Sequence, residues 1–432
     1  MTPELKGFLL LSIIKMLVVF TFIMIGVALL TLMERKVSAW MQNRRGPNRV
    51  GWAGLLQPAA DGLKNILKEE TYPALANRYL FLLAPAMSFI PALLLSAVIP
   101  FAAPIPVSFD VTVRFSFFGL FPIDLGRWVH HGLMPMVVAD LPIGFLYVLA
   151  ISSMGVYGVA LAGWSSNSKY ALLGGLRASA QMISYEVSMA LGLIPVLLMS
   201  GNVSFSAIIA DQQAGLWYVL PLFLSFFIFL ISGFAETNRV PFDLPEAESE
   251  LIAGYHTEYS AMKFSFFFIA EYANVVTVCA MVTTLFFGGW SIPFVSVGPG
   301  HPGALLTLAP GVLATLLTFV AFFLKLMFWI FFVMWIRWTL PRFRYDQLMA
   351  LGWKVLMPLA LAYIMVVCTA LYLLEQRLGI TAPKPLALAL FGLNLVLAVG
   401  VFGLLDSGMF IRGSGRQRTA LEERARRATV TS

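Results

Sequence analysis

Six carboxylates fall within one short stretch of this sequence, AETNRVPFDLPEAESELIAGYHTEY at residues 235–259, which lies between two long apolar runs and is called the acidic connection below. Its only arginine or lysine is Arg239. Carboxylates that lie close together and partly out of water repel one another when ionised, so their pKa values rise and they titrate as a coupled unit. The stretch therefore predicts a group of acids that exchange protons near neutral pH. These acids are Glu236, Asp243, Glu246, Glu248, Glu250 and Glu258.

A helix that begins at Pro245 would decide which of these acids are neighbours. Proline is well suited to the first position of a helix. Glu246 and Glu250 would then lie on one face, about 6 Å apart, while Glu248 points elsewhere. The alternative interpretation is a solvated acidic loop. The apolar residues that follow, 251–255, favour a packed segment.

Four more ionisable side chains lie inside apolar runs. A charge at membrane depth costs at least about 2.5–3.5 kcal/mol, so a sequence avoids it unless the group faces a polar cavity or a partner. Each group alone could instead make a structural hydrogen bond between helices. Together with the acidic connection, they predict a proton-conducting interior. The residues of this predicted proton path are Asp140, Glu186, Glu236, Glu246, Glu248, Glu250, Glu271 and Lys325.

A third group of polar residues follows the first apolar run, in LMERKVSAW, and contains Glu34, Arg35 and Trp40. Residues 54–69 then form an amphipathic pattern, with Asp61 on the polar face, which predicts a helix lying in the membrane interface. A groove between these elements would have apolar walls and one polar end, which suits a lipid-soluble ligand with a polar headgroup. Ordinary charged and aromatic anchoring at the interface is the alternative.

The elements that position these residues are membrane helices. The chain has 432 residues, of which 59% are hydrophobic and 12% charged, and its mean hydropathy is +0.84. A soluble domain could not bury that much apolar surface, so we predict an all-α polytopic membrane protein. Nine segments are long enough to cross the bilayer. They are residues 8–33, 80–103, 134–162, 179–200, 217–235, 264–288, 309–336, 355–374 and 386–406.

Residues 1–411 are predicted to form a single membrane domain with short cytoplasmic helices beside the interfacial one. Residues 412–432 form a basic tail, and residues 104–133 form a long aromatic external loop to which the sequence assigns no role. Four histidines and two cysteines show no metal-ligand spacing, so no metal site is predicted.

The distribution of lysine and arginine predicts the orientation. Loops after the odd-numbered segments, together with the tail, hold 22 of the 29 basic residues. That side is therefore predicted to be cytoplasmic, with the N-terminus outside and the C-terminus inside. The first residues are expected to lead into the first helix and not to form a cleaved signal peptide. The net charge of +7 is explained by this topology and not by nucleic-acid binding.

Several long motifs resemble one known family. RRGPNRVGWAGLLQPAADGLK, SNSKYALLGGLRASAQMISYE, the acidic connection with its flanks, and WIRWTLPRFRYDQLM are similar to the H-type membrane subunit of bacterial respiratory complex I, the counterpart of NADH dehydrogenase subunit 1 of mitochondria. The resemblance covers most of residues 10–406. It excludes the external loop and the basic tail.

The resemblance implies a subunit of a proton-translocating NADH-quinone oxidoreductase in the cell inner membrane. In this family the helices enclose much of a quinone chamber, here lined or neighboured by Glu34, Arg35, Trp40, Asp61 and Arg239. The acids of the predicted proton path would link quinone reduction, with ubiquinone or menaquinone, to proton movement. No redox cofactor is expected on this chain. FMN and iron–sulfur clusters would belong to partner subunits, among them hydrophilic quinone-site subunits and small membrane subunits, with membrane lipid around them.

Three alternatives stay open. The chain could be the related subunit of a membrane-bound hydrogenase or of a dehydrogenase with another donor. It could be a stand-alone proton-coupled transporter, although such proteins commonly show two related halves. It could also be a scaffold subunit without a polar path.

Overall fold

The structure is a computed structural model that describes residues 3–117, 121–243, 252–293, 295–297, 306–380 and 382–406. Short 3₁₀ turns at Trp52–Gly54, Leu95–Val98 and Gly254–His256 join some of its helices. The helices are α1 (Pro3–Met41), α2 (Gln57–Leu67), α3 (Arg78–Leu94), α4 (Gly144–Ser165), α5 (Lys169–Ser200), α6 (Phe205–Ala214), α7 (Phe223–Glu236), α8 (Ala261–Phe286), α9 (Val312–Thr339), α10 (Tyr345–Arg377, with two wider turns) and α11 (Pro383–Asp406).

Eight of these helices are long and apolar enough to cross a membrane, and α7 is a shorter apolar helix, within the part of the chain that is described. This confirms the predicted all-α polytopic membrane class. α2 is amphipathic and has no buried side chain. It therefore lies at the surface of the bundle, in agreement with the predicted interfacial helix.

Several predicted helix boundaries differ from the structure, and two of these differences change the setting of candidate site residues. The first helix does not end near residue 33 but continues to Met41, so Glu34 and Arg35 lie on its last turns. The third does not begin at 134 but at Gly144, because residues up to Met136 belong to a strand. Asp140 consequently lies in a connection before α4 and not inside a helix.

The predicted external loop contains a long antiparallel hairpin. Strand β1 (Ala102–Phe117) pairs with β2 (Phe121–Met136), from Ala102 opposite Met136 to Phe117 opposite Phe121. A second, parallel pair is short, β3 (Val295–Val297) with β4 (Leu306–Leu308). The sequence pattern did not predict either pair.

The base of the hairpin is seated between α1 and α9. The Ala103 N–H donates to Thr318 Oγ1 of α9 at 3.1 Å. From α1, Lys15 Nζ donates to the Val137 carbonyl at 2.8 Å. These contacts join the hairpin to α1 and α9, two of the helices that border the cavity described below.

Close backbone contacts bring the acidic connection against α5. A Cβ on Gly174 would lie 2.6 Å from the Cα of Gly254, which itself has a left-handed φ of 60°. Buried Gln181 of α5 donates from Nε2 to the carbonyls of Ala235 at 2.8 Å and Phe242 at 2.9 Å. Both described ends of the acidic connection are therefore held by one helix.

Candidate functional site

A cavity of about 650 Å³ lies among α1, α2, α8 and α9, at the end of α1 that is marked by Met41. It follows α1 from Met24 to Ser38, which is about 20 Å of helix. The deep wall is apolar, with Val27 and Ile269 among its residues, and charged side chains line the other end. Volume and lining suit an amphipathic ligand with one polar end. The charged residues in the lining are Glu34, Arg35, Arg44, Asp61 and Arg337.

Glu34 is the centre of the charged end. Its side chain is buried and accepts hydrogen bonds from the Tyr272 hydroxyl at 2.8 Å, from Arg239 Nη1 at 2.8 Å and from Arg337. These donors come from α8, the acidic connection and α9. The carboxylate of α1 thus ties together three parts of the chain that are more than two hundred residues away in sequence.

Arg239 lies behind Glu34, outside the cavity lining. Its Nε is 2.6 Å from Glu271 Oε1, an ion pair whose N–H is not aligned for a hydrogen bond, and its guanidinium lies 4.0 Å from the centre of the Tyr272 ring. Burial disfavours its charge, but Glu271 and Glu34 more than offset burial, so the pKa of Arg239 lies above its ordinary value. Arg239 is therefore a permanent cation between two carboxylates.

A salt bridge between α1 and α2 lies at the charged end of the cavity. Arg35 Nη1 donates to Asp61 Oδ2 at 2.5 Å, and Gln57 Nε2 donates to the same carboxylate at 3.1 Å. Partial burial raises the pKa of Asp61, but the hydrogen bonds from Arg35 and Gln57 outweigh it and the pKa lies below its ordinary value. Asp61 therefore stays ionised and holds α2 to α1.

A second, smaller cavity of about 40 Å³ lies beyond Glu271 and is lined by Glu236 as well. Three of its polar atoms lack a hydrogen-bond partner among the described residues: Glu236 Oε2, Asn274 Oδ1 and Ser88 Oγ. The volume is enough for one or more water molecules, and the unsatisfied oxygens would be their partners. Two carboxylates thus share one polar space.

The carboxylate series continues from Glu236 to Glu186. Glu236 also borders a void lined by Ser152, and Ser152 Oγ donates to Glu186 Oε1 at 3.2 Å. Glu186 is the acidic neighbour that acts electrostatically on Glu236. The four acids follow one another from the cavity into the bundle. Their order is Glu34, Glu271, Glu236 and Glu186, with Arg239 between the first two.

Two residues of the predicted path lie away from this series. Asp140 is exposed and accepts a hydrogen bond from Ser206 Oγ at 3.0 Å. Lys325 donates to three backbone carbonyls that follow the end of α8, and its ammonium lies 4.3 Å from the centre of the Trp217 ring. Glu246, Glu248, Glu250 and the tail at 412–432 lie outside the described residues.

Of the five residues predicted for the chamber, three line the cavity: Glu34, Arg35 and Asp61. Arg239 is one contact behind it. Trp40 does not line it, and 70% of its surface is exposed.

Sequence reasoning missed Arg337 and Tyr272, which donate to Glu34. Arg337 was interpreted only as part of the charge that sets the orientation. Tyr272 follows Glu271 directly, and a hydroxyl-bearing ring next to a carboxylate in an apolar run was the signal that could have found it.

Comparison with known proteins gives a consistent result. The sequence profile described as NADH dehydrogenase matches residues 14–368. An H-type subunit (the one numbered 2) of the NADH-quinone oxidoreductase of Geobacter metallireducens is 49% identical over 354 residues, which cover 82% of this chain and 93% of that protein. The corresponding H-type subunit of Koribacter versatilis is 49% identical over 369 residues, covering 84% and 97%. NADH-ubiquinone oxidoreductase chain 1 of Chondrus crispus is 48% identical over 360 residues, covering 83% and 96%.

The profile covers most of the chain, and the chain in turn covers nearly the full length of these relatives. The motifs quoted above as a resemblance lie within the matched region. The chain therefore belongs to the NADH dehydrogenase family, whose members include the H-type subunits of NADH-quinone oxidoreductase.

Proposed function

We propose that this chain is the H-type membrane subunit of a proton-translocating NADH-quinone oxidoreductase. It forms much of the chamber that admits quinone, and it links quinone reduction to proton movement through buried carboxylates. The observation that carries this proposal is the continuity of the cavity with the acids behind it: Glu34 at its polar end joins Glu271 through Arg239.

The cavity supports the quinone part of the proposal. A quinone has a flat polar headgroup and a long apolar tail, and the cavity offers charged side chains at one end and an apolar wall at the other. The headgroup would also contact a neighbouring hydrophilic subunit, because the charged end lies at the margin of this chain, beside exposed α2.

The chemistry divides between this chain and its partners. Reduction of a quinone to a quinol takes two electrons and two protons. An iron–sulfur cluster commonly needs four cysteine ligands, and the whole sequence has two cysteines, so the electron carriers belong to other subunits. FMN and the clusters are accordingly assigned to those partners, and quinone is the substrate at this chain.

The polar end of the cavity can respond to that chemistry. Negative charge that arrives with the electrons competes with Glu34 for Arg337, which is the less buried of its two arginine partners. A change in the position or charge of Glu34 alters its ion pair with Arg239. Because Arg239 also contacts Glu271, the change acts on Glu271 as well. Glu236 and Glu186 continue the path, and Glu246, Glu248 and Glu250 are proposed to join it from the acidic connection.

The contacts of Asp140 and Lys325 do not reach the series of four acids. That these two residues belong to the proton path therefore stays a prediction. The orientation is proposed from the basic residues alone: the cavity end of α1 faces the cytoplasm and the N-terminus faces outward, in the cell inner membrane.

The proposal is tested by filling the cavity. Thr31→Trp places a large ring against the α1 wall, and Thr369→Trp is the matched control on an exposed site of α10. In the assembled complex, Thr31→Trp should raise KM for decylubiquinone about tenfold or more, a loss of binding that leaves NADH:ferricyanide activity normal. An unchanged KM in a correctly assembled complex would remove the cavity from the quinone route. A complex that assembles around this chain but does not oxidise NADH would favour the related subunit of another dehydrogenase or a hydrogenase.

A further inference from the structure

The helix α2 forms one wall of the large cavity but is held by few contacts. Asp61, Gly62, Asn65 and Ile66 line the cavity, yet α2 has no buried residue. The salt bridge from Asp61 to Arg35 links α2 to α1. A cavity wall with so little packing moves at low energetic cost when the cavity fills.

Residues 68–77, called the leash here, connect α2 to α3 and are mostly exposed. At its α3 end the Asn77 N–H donates to the Ser165 carbonyl of α4 at 3.2 Å, and nearer α2 the leash is fastened to the bundle at a second joint. The Thr71 N–H donates to Ser260 Oγ at 3.1 Å, and the two hydroxyl oxygens are 2.8 Å apart. Because Ser260 directly follows the acidic connection, this joint links α2 to that connection.

Lys263 of α8 completes the joint. Its ammonium is buried, lies 3.2 Å from the centre of the Tyr72 ring and is 3.3 Å from Glu70 Oε2. A lysine in the first turn of a helix opposes the helix dipole. The Tyr72 ring and the Glu70 carboxylate of the leash stabilise the ammonium in this unfavourable position. The first turn of α8 therefore depends on a contact with the leash.

The other side of the joint reaches the small polar cavity. Tyr259 stacks on Phe81 with ring centres 4.0 Å apart, and the turn at Gly254–His256 packs against α5. Tyr255, from this turn, lines the cavity that Glu236 and Glu271 share. A displacement of residues 252–260 therefore changes the wall of that cavity.

We propose that the joint of Thr71, Ser260 and Lys263 transmits the movement of α2 to residues 252–260 and so couples occupancy of the large cavity to the carboxylates around the small one. Thr71 and Lys263 are positioning residues, since neither lines either cavity. The inference rests on the proposed function, because quinone is the occupant that moves α2.

Hydrogen exchange of the backbone amides in the detergent-solubilised complex, with and without decylubiquinone, tests this coupling. In the wild type, the quinone should slow amide exchange about fivefold or more in both 57–67 and 252–260. A factor of about five is the lower end of typical coupling between two sites. In the double variant Thr71→Val with Lys263→Met, it should still slow exchange in 57–67 but leave 252–260 unchanged. Lys263→Arg keeps the cation over Tyr72 and should retain the response.

The controls separate the possible failures. Thr369→Val removes an exposed hydroxyl that donates to the Met365 carbonyl of its own helix, and it should behave as wild type. If quinone changes neither segment in the wild type, the proposed function itself fails. If quinone changes 57–67 but not 252–260 in the wild type, or if the double variant keeps the response in 252–260, the coupling is wrong and the quinone cavity stands.

Should the double variant not assemble, Thr71→Val alone decides the matter. It removes the contact between the two hydroxyls, leaves the backbone N–H of residue 71 bonded to Ser260, and should weaken the response of 252–260. A full response in a correctly assembled Thr71→Val complex would overturn the proposal.

Discussion

Arg239 is a buried cation and Lys325 a partly buried one, and their surroundings differ in kind. Arg239 contacts two carboxylates, Glu34 and Glu271, and lies between two cavities. Lys325 instead contacts backbone carbonyls of residues 287, 289 and 291, directly after α8 ends. These carbonyls belong to the turn that follows the helix and have no partner within it, and the Lys325 ammonium satisfies them.

The difference shows that depth in the membrane does not by itself identify a proton path. A buried charge can take part in proton movement when its partners titrate and polar space adjoins it. The same charge is structural when it satisfies carbonyls that would otherwise be unpaired. By this criterion we place Arg239 in the proposed path, while the contacts of Lys325 favour a cap.

The largest effect is expected from Arg239→Met. Removing one partner of a buried ion pair costs about 3–5 kcal/mol, because the remaining charge is left uncompensated. Here two carboxylates lose their common cation, so we expect quinone reductase activity per assembled complex to fall about a hundredfold or more. Arg239→Lys keeps the charge but cannot reach both carboxylates and should retain partial activity. Wild-type turnover in Arg239→Met would contradict the proposal that Arg239, unlike Lys325, takes part in the proton path.

Lys325→Met should affect stability and not coupling. Three carbonyls lose their donor, and an unsatisfied buried polar group costs about 1–3 kcal/mol, so the Tm of the assembled complex should fall. Turnover and proton uptake per assembled complex should stay close to wild type. Normal Tm with impaired proton uptake would instead place Lys325 in the path, as the sequence pattern predicted.

Smaller effects are expected at the cavity mouth. Leu63→Glu alters the exposed apolar side of α2 and should raise KM for long-tailed quinones a few-fold, an effect on binding and not on kcat. Asp61→Asn weakens the link to Arg35 and should act on turnover more than on assembly. Kinetics of both variants equal to wild type would remove α2 from the quinone route.

The smallest functional effect is expected at Asp243, which pairs with Arg342 at 3.1 Å. Burial raises the pKa of Asp243 to about 6, although Arg342 opposes the rise. Its stabilising contribution is therefore complete below about pH 4 and is lost as the pH rises through about 6, by at most about 2–3 kcal/mol. Asp243→Asn should remove this slope from a plot of Tm against pH and leave coupling nearly normal. Exposed Asp346→Asn is the control, and an unchanged slope in Asp243→Asn would assign the pH dependence to other groups.

Much of the helical fold could be predicted, because a run of about 20 apolar residues is a strong signal. The hairpin at 102–136 could not be, since its apolar and aromatic run is also compatible with a loop or the start of a helix. That misassignment placed Asp140 inside a helix. The association of Glu34, Arg35 and Asp61 followed from their nearness in sequence. Arg337 and Tyr272 meet Glu34 only through the packing of α8 and α9 on α1, which no local pattern records.

In the proposed path, carboxylates lead from the cavity into the bundle through Glu236. Glu236→Gln keeps the size and hydrogen bonding of the side chain but removes its titration. Glu375→Gln, at an exposed site near the end of α10, is the matched control. Both variants are compared with wild type in membrane vesicles, by NADH:quinone turnover, proton uptake and ferricyanide reduction per assembled complex. We predict that Glu236→Gln lowers quinone turnover and proton uptake together by about tenfold or more while ferricyanide reduction stays normal. Wild-type turnover and proton uptake in a correctly assembled Glu236→Gln complex would contradict it.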